Sequence, residues 1–264
     1  MTPSPPTPLR FALPPSVGTE AASERAGRLQ TYLSTQLGQP AEVVVPPSYE
    51  ALAKDLLGGR VEAAWAPPFV CARIEAMGVR VLVRGVRSGS ASYRAALVAK
   101  KGSNLKPESL FGKKALWADR DSVGGYLLPL AFLKAKGLDP NKLFSHQGFA
   151  GSYRAALEGV LAGFADVTSV FARGNDAIGL FEVMPAKKDE FEVIALTEES
   201  PNDGVAVSMN APLPVVEHLE RILLKLHDSE EGGSILKDIF RAERFDAAPR
   251  MGYRALYRVA LASL

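Results

Sequence analysis

From Leu9 to Gly85 the chain alternates short apolar runs with stretches of helical period, and this alternation restricts the fold more than any other feature. LRFALPP (9–15) reads as a buried strand, Leu9 to Leu13, running into a proline turn. Glu20 to Leu37 sets Ala26, Leu29, Leu33 and Leu37 at helical spacing and stops at Gly38, a residue suited to a helix C-cap. AEVVVP (41–46) is a second strand, and Ser48 is placed to N-cap a helix through Leu57 that Gly58-Gly59 closes. Val61 to Ala66 forms a third strand ended by Pro67-Pro68; a helix over Phe69 to Met77 leads to a fourth, Val79 to Gly85. Strands separated by helices of this length do not pair as hairpins. They imply βαβ units, hence an α/β protein with mostly parallel sheets flanked by helices.

The texture changes at SGSAS (88–92), a small-residue segment fit for a crossing between lobes. Tyr93 to Ala99 is a strand and Pro107 to Phe111 a short turn or helix. KKALWADRDSVGGYLLPLAFLKAKG (113–137) then reads as a strand (Ala115 to Ala118), a polar loop (Asp119 to Ser122), the pair Gly124-Gly125 and an apolar helix. Further strands are expected at Leu143 to Phe149, Asp166 to Val170 and Phe191 to Leu196, with a helix over Gly151 to Gly163. SPNDG (200–204) is a second turn-rich crossing, and VAVSM (205–209) returns as a strand. From Pro214 to the end the chain reads helical, with Leu219, Ile222, Leu223 and Leu226 on one face. Two crossings around a central block predict two lobes, residues 9–92 with 205–264 and residues 93–204, preceded by a proline-rich disordered lead over 1–8. A cleft between such lobes is the default ligand site, and lobes of this kind close about a hinge.

Several function classes are excluded. Basic and acidic residues number 31 and 29 and are interspersed, which argues against a nucleic-acid surface. No apolar run approaches the roughly 18 residues of a membrane span. Cys71 is alone, so no intrachain disulfide forms, and inert burial is the expected state of its thiol. His146, His218 and His227 lack the spacing of a metal site, and His218 and His227 are expected at the surface. No nucleophile elbow or dinucleotide fingerprint occurs, so no cofactor is expected. MTPSPPTPLR contains no apolar signal region. The expected location is periplasmic if a signal once preceded Met1, and cytoplasmic if Met1 is native.

The strand–glycine–helix stretch is suited to an anion, because the first N–H groups of a helix point outward and glycine lets a ligand approach the backbone. For Ser122, Val123, Gly124 and Gly125 a ligand loop competes with a plain N-cap and close strand–helix packing. Tyr126 is expected between helix and sheet. Tyr49 and Tyr153 follow strands, where open α/β sheets place ligands; half-buried aromatics at helix starts are the competing reading. Tyr93 is either a cleft aromatic or a hinge packing residue. Trp65, at the end of a strand, stacks on a ligand or belongs to the core. In ADVTSVF (165–171) one of Thr168 and Ser169 is expected to face inward. Arg94 and Arg154, each following a tyrosine, are weaker candidates for an acidic partner.

Five segments in order resemble the phosphate/phosphonate substrate-binding proteins of ABC transporters. They are GGRVEAAWAPPF (58–69), ASYRAALVAKKGS (91–103), DSVGGYLLPLAFLKAKGLDP (121–140), FAGSYRAALEGVLAGFADV (149–167) and ESPNDGVAVS (199–208). The resemblance implies a two-lobed type II periplasmic-binding-protein fold that closes over a small anion. It places Tyr49, Tyr93 and Asp203 among pocket residues. The family's hydroxyl-rich Ser-Thr-Ser-Gly reads here Ser122-Val123-Gly124-Gly125, and its Gly-Ser-His reads Gly151-Ser152-Tyr153. Pro67 stands where a glycine is usual and removes a backbone donor; Asp121 also replaces a glycine. Two lost hydroxyls mean two charge-assisted bonds fewer, each about 1.5–3 kcal/mol.

Together these features predict a solute-binding protein, not an enzyme, that traps a small polar acidic or zwitterionic ligand by hinge closure. Its partner is an ABC permease if it is exported, or a cytoplasmic signalling partner if it acts as a ligand sensor. An enzyme of cofactor or quinone biosynthesis on the same fold, or a paralogue that binds a protein and no ligand, are the alternatives.

Overall fold

The computed structural model describes residues 8–15, 19–120 and 122–263. Apart from Pro8, the expected disordered lead lies outside the described residues, as does Asp121. The chain divides into two compact units, Met1–Ala91 with Pro201–Tyr253, and Ser92–Ser200 with Arg254–Leu264.

The first unit opens with β1 (Leu9–Ala12), α1 (Thr19–Leu37), β2 (Ala41–Val44), α2 (Tyr49–Leu57), β3 (Ala63–Ala66), α3 (Pro68–Ala76) and β4 (Arg80–Val86). Ser48 Oγ accepts the Ala51 N–H at 3.0 Å, capping α2 as its position before the apolar period predicts. The second unit contains β5 (Ser92–Lys100), β6 (Lys114–Trp117), α4 (Leu128–Ala135), α5 (Pro140–Leu143), β7 (His146–Phe149), α6 (Tyr153–Leu161), β8 (Val167–Ala172), α7 (Ile178–Val183) and β9 (Phe191–Leu196). β10 (Ser200–Pro201) marks the return; β11 (Gly204–Val207), α8 (Leu213–Leu224), α9 (Glu230–Ile235) and β12 (Arg244–Ala247) complete the first unit, and α10 (Tyr257–Ala260) ends the chain.

In the first sheet the order is β12-β4-β11-β3-β1-β2. β1 runs parallel to β2 and β3, whereas β11 lies antiparallel between β3 and β4, with Val205 opposite Trp65 and Val83. The second sheet runs β10-β5-β8-β6-β7, with β9 also on β5. β6 is parallel to β7 and β8, and β5 is antiparallel to β8 and β9. The parallel triplets are the βαβ units that the alternation predicts. The sheets are nonetheless mixed rather than mostly parallel, because a strand that arrives from a crossing has no crossover helix behind it and is not bound to run parallel.

The first core gathers Phe11, Leu29, Leu33, Trp65, Val205, Leu219, Leu223, Phe240 and Phe245. α8 buries Val216, Leu219, Ile222 and Leu223, one face at helical spacing. The second core gathers Val98, Leu157, Val160, Val170, Leu180 and Phe191.

Three further expectations are corrected. The C-terminal stretch is not helical throughout: β12 pairs antiparallel with β4 at the sheet edge and buries Phe245. Its period spans only four residues, and the helical run before it ends at Arg241 in a left-handed conformation (φ 51°) without a glycine to signal the stop. Residues 254–263 pack with the second unit rather than the first, since Leu256, Val259 and Ala260 are buried and Arg258 Nη1 donates to the Lys134 carbonyl of α4 at 3.1 Å. Thr168 and Ser169 are both fully buried, because β8 is covered on both faces. Cys71 is buried, donating to the Ala66 carbonyl at 3.3 Å, and burial pushes its thiol far up. Among the described residues no helix is long and apolar enough to cross a membrane.

Candidate functional site

The start of the helix after β6 is built by side chains from three elements. Ser122 has extended backbone and its Oγ accepts the Gly125 N–H at 3.0 Å, which makes it an N-cap. The first turn is wound wide: Leu127 N donates to the Ser122 carbonyl five residues back, at 3.1 Å, before regular α4 begins. Gly124 and Gly125 are both buried. Ser169 on β8 donates its hydroxyl to the Gly124 carbonyl at 2.9 Å, tying the turn to the sheet.

Tyr153, first residue of α6, brings its phenol to within 3.1 Å of Ser122 Oγ. Ser152 caps the same helix by accepting the Ala155 N–H at 3.1 Å. Burial pushes the Tyr153 phenol above its ordinary range, the Ser122 hydrogen bond opposing. It therefore stays neutral and adds no negative charge beside the turn. Phe171 packs edge-on to Tyr153 at 5.5 Å. Two helix starts, those of α4 and α6, thus share one hydrogen-bonded hydroxyl pair, and the first-turn N–H groups of Val123 and Gly124 adjoin it. Such a group suits an acidic oxygen.

Replacing Tyr153 by phenylalanine is expected to lower the melting temperature of the second unit by about 2–4 °C, the equivalent of one neutral hydrogen bond of about 1 kcal/mol. An unchanged melt would mean that the phenol contributes nothing to holding the turn.

Tyr93 stands half-buried near the beginning of β5. Because β5 is antiparallel to β8, and β8 parallel to β6, this places it at the sheet end where β6 delivers the Ser122 turn. Arg94 Nε lies 3.5 Å from Glu199 Oε1, a structural partner rather than a ligand. Arg120, two residues before Ser122, stacks its guanidinium over Phe149 at 4.6 Å from the ring centroid. It was legible only as a charge in a polar loop. Tyr126 fills the space beneath, between Trp117 and Phe149 at 5.8 and 5.0 Å.

The first unit brings a different set together. Tyr49 begins α2 and Trp65 is the penultimate residue of β3, while Asp203 immediately precedes β11, whose Gly204 opposes Ala66. All three therefore sit at the carboxyl end of the parallel strands, where ligands bind in open α/β sheets. Trp65 and Asp203 line a cavity of about 130 Å³ with Pro67, Arg25, Arg87, Asp238 and Arg241; Tyr49 stands outside this lining. Trp65 is also core, only 4% exposed, with Phe240 and Phe245 edge-on at 5.2 and 5.5 Å. Asp203 is held by an ion pair from Arg87 Nη2, whose Nε in turn donates to the Arg241 carbonyl at 3.0 Å. Sequence reasoning missed Arg87 and Arg241. The one local signal was that Arg87 heads the small-residue crossing after β4.

A family profile described as ABC transporter, phosphonate, periplasmic substrate-binding protein matches residues 11–253. Among solved structures, the chain is similar to XAC2383 of Xanthomonas citri bound to ATP, with a TM-score of 0.75 and 19% identity over 97% of this chain and 96% of that one. PhnD1 of Prochlorococcus marinus in complex with methylphosphonate gives 0.63 and 18%, covering 97% of both chains. A binding protein component of an ABC phosphonate transporter from Pseudomonas aeruginosa gives 0.58 and 19%, over 92% of this chain and 82% of that one. At these identities the structures establish the fold, which is that of type II periplasmic binding proteins.

Proposed function

The chain belongs to the periplasmic phosphonate-binding proteins of ABC transporters, and from that premise we propose that it traps a small ligand through one acidic, phosphonate- or phosphate-like group held at the Ser122 turn. The family binds small molecules for a permease and does not transform them. In this reading the backbone N–H groups of Val123 and Gly124, the Ser122 hydroxyl and the neutral phenol of Tyr153 meet the acidic oxygens, with Gly125 closing the cap on Ser122 and Ser152 fixing the helix that carries Tyr153. Tyr93 contributes from the same sheet end, and Tyr49, Trp65 and Asp203 act from the first unit. Contacts made only in the closed state drive hinge closure, and the size of the shift follows from that differential affinity. The observation that carries the proposal is the hydroxyl pair of Ser122 and Tyr153, 3.1 Å apart at the junction of two helix starts.

The turn is poor in hydroxyls, since Val123 and Gly124 offer only backbone donors. Two missing charge-assisted bonds correspond to a weakening of about 10² to 10⁴ for a compact dianion. Isothermal titration with phosphate and methylphosphonate is therefore expected to give dissociation constants above about 1 µM, with a larger phosphate ester bound more tightly. ATP is the natural third titrant, being the ligand of the Xanthomonas citri protein. Sub-micromolar methylphosphonate would overturn the hydroxyl-poor reading, and no binding of any of the three at millimolar concentration would overturn the ligand class.

A further inference from the structure

The donors gathered at the Ser122 turn are all neutral: the backbone amides of Val123 and Gly124, the Ser122 hydroxyl and the Tyr153 phenol. An acidic group held there keeps its charge uncompensated unless a cation stands near, and the second unit supplies one in Arg120. Two residues along the chain part it from Ser122, so their Cα atoms lie within about 7 Å of each other. The Arg120 guanidinium rests 4.6 Å from the centroid of the Phe149 ring. The same ring meets Tyr126 edge-on at 5.0 Å, and Tyr126 belongs to the wide turn Val123–Leu127. Phe149 ends β7, and the loop that follows it carries Ser152 and delivers Tyr153. The Ala150 N–H donates to the Trp117 carbonyl at 2.9 Å, so β6 and β7 end side by side. Arg120 is therefore placed where the two loops that bring Ser122 and Tyr153 together leave the sheet. It is exposed, and among the described residues no carboxylate pairs with it. An exposed contact between a guanidinium and a phenylalanine ring is weak, so the group is kept close without being committed.

We infer that Arg120 is a specificity-determining binding residue: its guanidinium leaves the Phe149 ring to form a fork on the acidic group at the Ser122 turn, and it selects a doubly charged phosphonyl or phosphoryl end over a singly charged one. This rests on the proposed binding of a phosphonate-like group and deepens it by fixing the charge that the site requires. The reason is a division of labour among donors. Amides and hydroxyls orient an oxygen but carry no net charge, whereas a guanidinium meets two oxygens at once and offsets the charge that they share. Val123 and Gly124 provide no side-chain hydroxyl, so the fork of Arg120 takes up oxygens that the turn leaves unmet.

The test uses a matched pair, methylphosphonate and its monomethyl ester, titrated into the full chain at alkaline pH, where the first carries two charges and the second one. The unsubstituted protein is expected to bind methylphosphonate about tenfold or more tightly than the ester. Arg120→Gln is expected to weaken methylphosphonate by about tenfold or more and to shrink the preference to less than about threefold. Arg120→Lys, which keeps the charge and loses the fork, is expected to fall between the two. Raising the salt from about 20 to about 200 mM is expected to weaken methylphosphonate more in the unsubstituted protein than in Arg120→Gln. A merely structural arginine would move neither the preference nor its salt dependence. Lys142→Gln is the control for removing one exposed positive charge, since Lys142 lies on α5 before β7 begins, and it is expected to leave both affinities unchanged. A preference that Arg120→Gln and Arg120→Lys both leave intact, one that Lys142→Gln lowers equally, or tighter binding of the ester by the unsubstituted protein overturns the inference alone. Binding of neither compound at millimolar concentration also overturns it; with ATP unbound as well, the functional reading falls too.

Discussion

Trp65→Ala is expected to destabilise the first unit by about 3–5 kcal/mol, the usual cost of removing a buried tryptophan. The indole is 4% exposed and sits in an aromatic cluster with Phe240 and Phe245, so its loss leaves a hole that rigid rings do not collapse to fill. Its distal edge also approaches Gly85, where a Cβ would lie 3.2 Å from the indole, so strand and ring are fitted to each other. Urea denaturation followed by far-ultraviolet circular dichroism measures the effect. The other tryptophan, Trp117, belongs to the second unit and reports it separately by fluorescence. Trp65→Phe keeps an edge-on ring and is expected to lose less than half as much. A loss below about 1 kcal/mol in Trp65→Ala would show that the indole contributes little to the core. Core packing and cavity lining coincide in this residue, which meets Phe240 edge-on and lines the same cavity.

Gly125→Ala is the second large effect. A Cβ at this position would stand 2.7 Å from Ala118 Cβ, 2.7 Å from Ser122 Oγ and 3.1 Å from Tyr153 Cε1. No single flexible tip yields to relieve all three contacts, so the turn itself must shift. The expected cost is about 1–3 kcal/mol of stability in the second unit. The shift acts on the hydroxyl that caps the helix and pairs with Tyr153, so binding is expected to fall by tenfold or more, beyond what partial unfolding explains. Calorimetric melting and ligand titration on the same preparation separate the two effects. Gly27→Ala, where a Cβ meets nothing within 4 Å, is the control for substituting a helical glycine. Unchanged affinity in a stably folded Gly125→Ala would dissociate this turn from the ligand.

Much of this architecture was legible because its causes are local. Ser48 before an apolar period predicts a cap, and Ser122 offers one beside the ligand-loop reading; each accepts the amide three residues on. Ser122 shows the limit of that reading, since the cap and the ligand loop were posed as rivals. In the folded chain its oxygen serves the cap and at the same time meets Tyr153, 31 residues away. β12 escaped because four residues with one buried aromatic carry too little period to stand out against a helical neighbourhood. The tail beyond Tyr253, expected with the first unit, packs with the second for a similar reason: burial of Leu256 and Val259 says that they are covered, and nothing nearby in sequence says by what.

The amino-acid sequence by itself determined the α/β class, the order of strands and helices from β1 to β4 and the family, since periodicity, capping and turn residues act over a few positions and survive being read one window at a time. Tertiary structure alone decided that β11 would enter between β3 and β4, that Ser169 would fasten the Gly124 carbonyl, and that Asp203 would be taken by Arg87, 116 residues earlier in the chain. Those contacts join groups that no local pattern relates. Which charged groups meet is settled by sheet order, and sheet order is set by packing across the whole unit.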